Sequence, residues 1–172
     1  MEAILYLYVD KSITGLYELY QKHVESHNYH IDTNLFPNSG FDIFIPEDQF
    51  ILHDPLTSYF LDFKIKTEMR FKRTSDDQEV PTAFQIYARS SLSKTPLILS
   101  NHVGIIDSGY RGNIKGAFRS VSNIDQYYVQ KFTRLVQICH PSLCKIRVIL
   151  VEDENDLSST ERGEKGFGSS GV

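Results

Sequence analysis

The sequence predicts an all-β domain, a sandwich or barrel of short strands, with one helix near its start and a flexible arm at its end. Three observations carry this reading. From Asn34 to Val151 short apolar runs are separated by turn residues, the signature of a strand-rich body. Only DKSITGLYELYQKHVESH, residues 10–27, changes to helical spacing, with Ile13, Leu16, Tyr17, Tyr20 and Val24 on one face. After Val151, EDENDLSSTERGEKGFGSSGV holds two bulky apolar residues, Leu157 and Phe167, before the terminal Val172, too few to build a core.

Taken in order, AILYLYV (3–9) is rich in β-formers and makes a first strand. The helix is expected over about 11–27, with Asp10 or Ser12 as its N-cap. LDFKIKTEMRFK (61–72) reads as one alternating strand, Leu61, Phe63, Ile65, Met69 and Phe71 inward and charged side chains outward. Its basic face, Lys64, Lys66, Arg70, Lys72 and Arg73 interrupted by Asp62 and Glu68, is expected to be a solvated edge that discourages aggregation. RTSDDQEVP is a polar loop; AFQIYARSSL, LILSNHVGIID, NIKGAFRSV and TRLVQICHPSLCKIRVILV each offer a short strand. The domain is therefore expected over 1–151 and the arm over 152–172, with no internal repeat.

At 172 residues the chain is long enough for one domain with a real core. A net charge of −4 argues against a nucleic-acid backbone as a direct partner. No apolar run approaches the ~20 residues that cross a bilayer, so no membrane partner is expected. Glu2 stands where a secretory signal carries positive charge, so the protein is expected to be intracellular, in cytoplasm or nucleus, and not secreted. Two cysteines, Cys139 and Cys144, are too few for a disulfide scaffold.

Four stretches offer chemistry. GFGSSG (166–171) fits the spacing G-x-G-x-x-G, but no strand precedes it and no helix follows, which removes the dinucleotide-fold reading. Its backbone N–H groups can instead form an anion-binding nest, with Arg162 to grip phosphate and Phe167 to lie on a ring; a disordered end is the plainer alternative. ARSSLSK (88–94) offers a guanidinium and hydroxyls at a strand end, suited to an oligophosphate or to nothing more than a turn. NHVGIIDSGYRGNI (101–114) should form a tight hairpin with Asp107 beside Tyr110, a general base or a capping carboxylate. SGFDI (39–43) points Asp42 away from Phe41 and Ile43. Cys139, His140 and Cys144 lack standard zinc spacing and read better as buried small residues. His23, His27 and His30 recur near a helix end, where dipole interactions explain them. His102 reads as a loop histidine.

In this order, these segments resemble the five motifs of the trimeric dUTP pyrophosphatase (dUTPase) family. SGFDI resembles the first, ARSSL the second, NHVGIIDSGYRGNI the third, FTRLVQIC (132–139) the fourth with Arg134 and Gln137 in register, and RGEKGFGSSG the fifth. The resemblance implies a distorted jelly-roll β-barrel, a homotrimer with each site assembled from three chains, and hydrolysis of dUTP to dUMP and pyrophosphate with Mg²⁺. It implies Asp107 as the base that activates water. Arg89, Ser90, Ser91 and Gln137 would position phosphates and water, and Asp42 would hold Mg²⁺ through its water shell. The resemblance assigns uracil to Asn101, Gly104 and Ile106, and deoxyribose to Tyr110. Arg162, Phe167, Gly168, Ser169 and Ser170 would close over the substrate.

Some residues depart from the family pattern. Phe132 and Thr133 replace Gly-Asp in the fourth motif, Lys165 replaces a glycine in the fifth, and Ala88 stands where proline is common. About 38 residues precede the first motif; their helix has three open uses, covering a sheet edge, extending the trimer contact or binding another protein. The rival of the same fold, dCTP deaminase, shares the R-S-S-L segment but needs a carboxylate near Ala117. A dUTP-binding regulatory protein is the alternative of another class.

Overall fold

Strict alternation makes the first strand. β1 (Glu2–Val9) buries Ala3, Leu5, Leu7 and Val9 completely and leaves the residues between them half-exposed. The computed structural model, which describes residues 2–54, 56–72, 78–121 and 125–166, places this strand inside a four-stranded sheet. It runs parallel to β13 (Lys145–Val151) and antiparallel to β5 (Ile65–Lys72), with β6 (Glu79–Pro81) beyond. A second four-stranded sheet orders β2 (Gly40–Ile43), β12 (Val136–Cys139), β7 (Phe84–Ala88) and β9 (Val103–Ile106). The strands β4 (Tyr59–Asp62), β10 (Lys115–Ser120) and β8 (Leu97–Leu99) form a third sheet, and β3 (Gln49–Leu52) pairs with β11 (Gln126–Val129). Their inner faces share one core in which Phe41, Phe63, Phe84 and Phe118 are fully buried, each ring contributing roughly 2–3 kcal/mol. This is the expected all-β, distorted jelly-roll architecture with one added helix.

The helix lies further along than expected: α1 spans Leu16–Thr33 instead of about 11–27. Asp10 caps a turn ahead of it, accepting from the Ser12 N–H at 2.9 Å, and Gly15, with φ of 81°, turns the chain into the first helical residue. Beyond His27 the buried Ile31 extends the apolar face set by Leu16, Tyr20 and Val24. Of its three open uses, the structure shows the first. β13 is the last strand of its sheet, and α1 satisfies the free edge. Asn28 donates to Val148 O at 2.8 Å and accepts from Val148 N at 3.1 Å, while the His27 ring donates to Ile146 O at 2.8 Å. An open parallel edge is thereby closed to other strands.

Two further expectations change. The 61–72 run divides at Lys64, whose φ of 57° breaks the strand between β4 and β5, although Leu61, Phe63, Ile65 and Met69 all face inward as expected. The basic face of β5 is no solvated edge. β5 lies between β1 and β6, and on its outer face Lys66 and Glu68 are met by the segment after β13, while Lys72 stays exposed and Arg73 lies outside the described residues. That segment, expected as part of a flexible arm, is laid against the body as far as Gly166, with Leu157 buried. Residues 167–172 lie outside the described residues. Phe132 adopts φ of 66°, the left-handed conformation its glycine counterpart would take freely; its ring packs onto the core beside Gly15, which offsets a cost of roughly 1 kcal/mol.

Candidate active site

Strand register decides which side chains meet. In the second sheet Asp42 pairs with Gln137 and Gln137 with Tyr87, so these three project on one face. Their neighbours Phe41, Ile138 and Ile86 project on the other, into the core; a slip of one residue would exchange the faces. Just past β7, Arg89 donates through Nε to Asp42 Oδ1 at 2.7 Å and through Nη1 to Ser91 Oγ and Arg134 O, both at 3.1 Å. Arg134 Nη1 reaches the second oxygen, Asp42 Oδ2, at 3.1 Å. Gln137 Nε2 points toward Ala88 O at 3.4 Å. Its amide lies over Gly40, where an added Cβ would sit 2.1 Å from Oε1 and displace the Gln137 side chain. With Ser90 at its rim, this cluster lines an open depression of about 780 Å³.

The opposite wall of that depression comes from α1, through His23, Ser26 and His27. Sequence reasoning missed this wall. The only signal was histidine spacing along the helix, and nothing in the sequence ties it to β2. Half-buried His23 donates to the Asp42 carbonyl at 3.2 Å and lies against Phe41 with ring centres 4.6 Å apart. Burial pushes its pKa down to about 4, with the Asp42 charge opposing the shift. Burial also lowers His27 and pushes the Cys139 thiol up to about 11.

The His23 shift has a testable consequence for stability. Unfolded histidine titrates near 6.5, so between about 6.5 and 4 the unfolded chain binds more protons than the folded one. The contribution of His23 is therefore complete above about pH 6.5 and is lost as pH falls toward 4. His23→Gln keeps an N–H for the Asp42 carbonyl but does not titrate. Thermal melts over this range should fall less steeply with acid in the variant; equal slopes would contradict the assignment.

The remaining candidate residues gather elsewhere. β9 leads from Asn101 through Gly104 and Ile106 to Asp107, where the Tyr110 N–H donates to Asp107 O at 3.0 Å and closes the turn. Arg111 shapes this turn from within, donating through Nη1 to Ser108 O and Tyr110 O at 2.9 Å each. Its other nitrogens hold Ser158, Nε on the carbonyl and Nη2 on the hydroxyl at 2.8 Å each. Arg111 Nη2 also lies 3.2 Å from Glu68 Oε2. Glu68 is 1% exposed. Burial alone would raise its carboxyl, but hydrogen bonds from Arg70 and Ser158 and the Arg111 charge hold it below the usual range. The Tyr110 hydroxyl donates to Asn113 O at 2.9 Å, its ring folded over Gly112, where a Cβ would lie 2.5 Å from the phenol oxygen. Arg162 Nη1 pairs with Asp107 Oδ2 at 2.5 Å.

The structure thus brings Asp42, Arg89, Ser90, Ser91 and Gln137 into one cluster, and Asn101, Gly104, Ile106, Asp107, Tyr110 and Arg162 into a second. Phe167, Gly168, Ser169 and Ser170 lie outside the described residues. Within one chain the clusters are apart. β7 and β9 run antiparallel, with Phe84 opposite Ile106 and Tyr87 opposite Val103. Arg89 follows one end of that pair and Asp107 the other, a separation of about 20 Å at ~3.4 Å per residue.

Among the described residues no set of three His, Cys, Asp or Glu side chains could hold a metal ion. Both Asp42 oxygens already accept from arginines. These residues do not fit an inner coordination shell; they fit a hydrated cation carried on a ligand's phosphates, whose waters a carboxylate can accept from. Among the described residues no helix is long and apolar enough to cross a membrane.

A family model for dUTPase matches residues 37–171. A deoxyuridine 5'-triphosphate nucleotidohydrolase of Orientia tsutsugamushi (strain Ikeda) is 43% identical over 89 residues, 51% of this chain. The match spans 57% of that relative's length. The enzyme of the same name from Alkaliphilus metalliredigens (strain QYMF) is 32% identical over 136 residues, 78% of this chain and 84% of the relative. Among solved structures, a dUTPase of Staphylococcus bacteriophage 80alpha with dUpNHpp has a TM-score of 0.47 at 22% identity, covering 81% of this chain and 89% of that one.

Proposed function

The chain belongs to the dUTPase family, and on that footing we propose that it hydrolyses dUTP to dUMP and pyrophosphate at sites shared between copies in a homotrimer. One observation carries the shared site. Asp107 and Arg89 stand at opposite ends of the β7–β9 pair, so one chain cannot present both to the same phosphorus, whereas a neighbouring copy can. A closed ring of three gives every copy the same pair of contacts.

In such a site the Val103–Ile106 backbone and the Asn101 amide meet the uracil edge, with Gly104 leaving the strand free to approach and Ile106 flanking the base. Tyr110 packs under the deoxyribose. From the neighbouring copy, Arg89, Ser90 and Ser91 bind the phosphates, and Gln137 orients the attacking water. Asp107 takes a proton from that water as its oxygen bonds to the α-phosphorus; the α–β bridging bond breaks and pyrophosphate leaves. Arg162, Phe167, Gly168, Ser169 and Ser170 close on the nucleotide. Asp42 would hold Mg²⁺ through its water shell, and the ion would supply charge neutralisation for the phosphates. A site that hydrogen-bonds uracil rejects cytosine by leaving buried groups unpaired, which allows discrimination of ~10⁴-fold or more.

Incubation of the protein with dUTP, dCTP, dTTP or UTP and Mg²⁺, followed by chromatography of products, tests this reading. dUMP and pyrophosphate should form from dUTP alone. Ammonia and a uracil nucleotide from dCTP would point to a deaminase. Binding of dUTP without turnover would point to a regulatory protein.

A further inference from the structure

We propose that α1 braces the phosphate-binding cluster, with His23 the positioning residue that acts on Arg89 and Arg134 through Asp42. This inference rests on the reading of that cluster as the phosphate end of the site. It adds to the site a helix that stands outside the five motifs.

The hydrogen bonds of β2 show what the helix grips. β2 is the last strand of its sheet, paired with β12 alone among the described residues. Just beyond it Ile45 turns to the β12 side, its N–H donating to Thr133 O at 2.9 Å and its carbonyl accepting from the Phe132 N–H at 2.6 Å. Backbone groups alternate along such a pair, so those of Asp42 and Phe44 face away from β12. Both meet α1. The Asp42 carbonyl accepts from the His23 ring at 3.2 Å, and the Phe44 N–H donates to the Tyr20 hydroxyl at 3.0 Å.

Aromatic rings extend the grip toward the arginines. Phe44 packs edge-on against Tyr20 with ring centres 5.1 Å apart, and the Arg134 guanidinium lies 5.9 Å from the Phe44 centre. At the start of the helix Gly15 rests on the Phe132 ring, two residues before Arg134. Phe132, a departure from the family pattern, is thus the residue that docks α1 on the fourth motif. On its other side α1 is tied to β13 by His27 and Asn28, so it joins the free edges of two sheets.

The consequence is a fixed carboxylate. A four-residue edge strand held on one side only is prone to fray. With His23 and Tyr20 in place, Asp42 cannot drift without breaking partly or fully buried bonds. Its two oxygens therefore hold Arg89 and Arg134 in position before any phosphate arrives, and pre-organisation of this kind is expressed as affinity.

Calorimetric binding of an α,β-imido analogue of dUTP with Mg²⁺, together with KM and kcat for dUTP, tests this. His23→Ala should weaken analogue binding and raise KM by about 5–10-fold, the scale of one hydrogen bond, with kcat within about twofold of wild type. His23→Gln keeps an N–H for the Asp42 carbonyl and should restore both values. In an Asp42→Ala background His23→Ala should cost nothing more, because the link to the arginines is already cut. A helix that served stability alone would give the same loss in either background. Unchanged affinity in His23→Ala, no rescue by glutamine, or additive losses in the double variant would each overturn the proposal. Failure of the wild type to bind the analogue would instead overturn the phosphate reading on which it rests. Should His23→Ala not fold, Tyr20→Phe, which keeps the ring and removes the acceptor of the Phe44 N–H, takes its place in the same measurements.

Discussion

Asp107→Asn should lower kcat for dUTP by about 10²–10⁴-fold while leaving nucleotide affinity nearly unchanged, the range expected for removal of a general base. The substitution keeps the size and planarity of the side chain, so the turn closed by Tyr110 N–H on the Asp107 carbonyl is undisturbed. It also removes the ion pair with Arg162. That pair is half-exposed, and exposed pairs contribute only about 0–1 kcal/mol, so the variant should melt close to the wild type. Chemistry and folding are thus separable in one variant: a large fall in turnover with an unchanged melt supports the base assignment. Undiminished turnover would remove Asp107 from that role.

Glu68→Gln should be the most damaging substitution for stability. The carboxylate is 1% exposed and lies 2.6 Å from Arg70 Nε, 3.2 Å from Arg111 Nη2 and 2.8 Å from the Ser158 N–H. Removing its charge leaves the Arg111 guanidinium buried without a counter-ion, a change that costs about 3–5 kcal/mol, or a Tm lower by on the order of 10 °C. Arg70 is less affected because it is partly exposed and also lies near Glu79. Since Arg111 shapes the Asp107 turn and holds Ser158, the variant should also expose the segment after Val151 to protease. A Tm within a degree or two of wild type would show that the cluster is not needed for stability.

Much of the body was legible because its information is local. Alternation in β1 and in the 61–71 run named the inward residues correctly, since a pleated strand faces the core with every second side chain. The strand break at Lys64 was not legible, because no glycine or asparagine announces its left-handed backbone. Asp10 and Ser12 drew the helix start too early; their side chain and backbone serve a turn that precedes the helix. The contacts of the segment after Val151 were hidden for a different reason. Few apolar residues implied that it could not pack, yet it is held by polar and ionic anchors whose partners are remote in sequence. Glu68 lies 90 positions from Ser158, and Arg111 lies 47.

The site divides in the same way. The arginine and hydroxyls of ARSSL and the hairpin carboxylate could be read from their own segments. The pairing of Asp42 with Arg134, 92 positions away, and its tie to His23 on the helix depend on strand register, which no single segment reveals. The distance between Asp107 and Arg89 is also a product of topology, since β7 and β9 are neighbours that run in opposite directions.

The most direct test of the shared site mixes two chains that are each inactive for a different reason, Asp107→Asn and Arg89→Ala. Their co-expressed assembly should recover about a quarter of wild-type dUTP turnover, because a quarter of randomly mixed sites receive an intact hairpin from one copy and an intact Arg89 from the next. Turnover no higher than that of the separate variants, in an assembly shown by mass to contain both chains, would contradict the account.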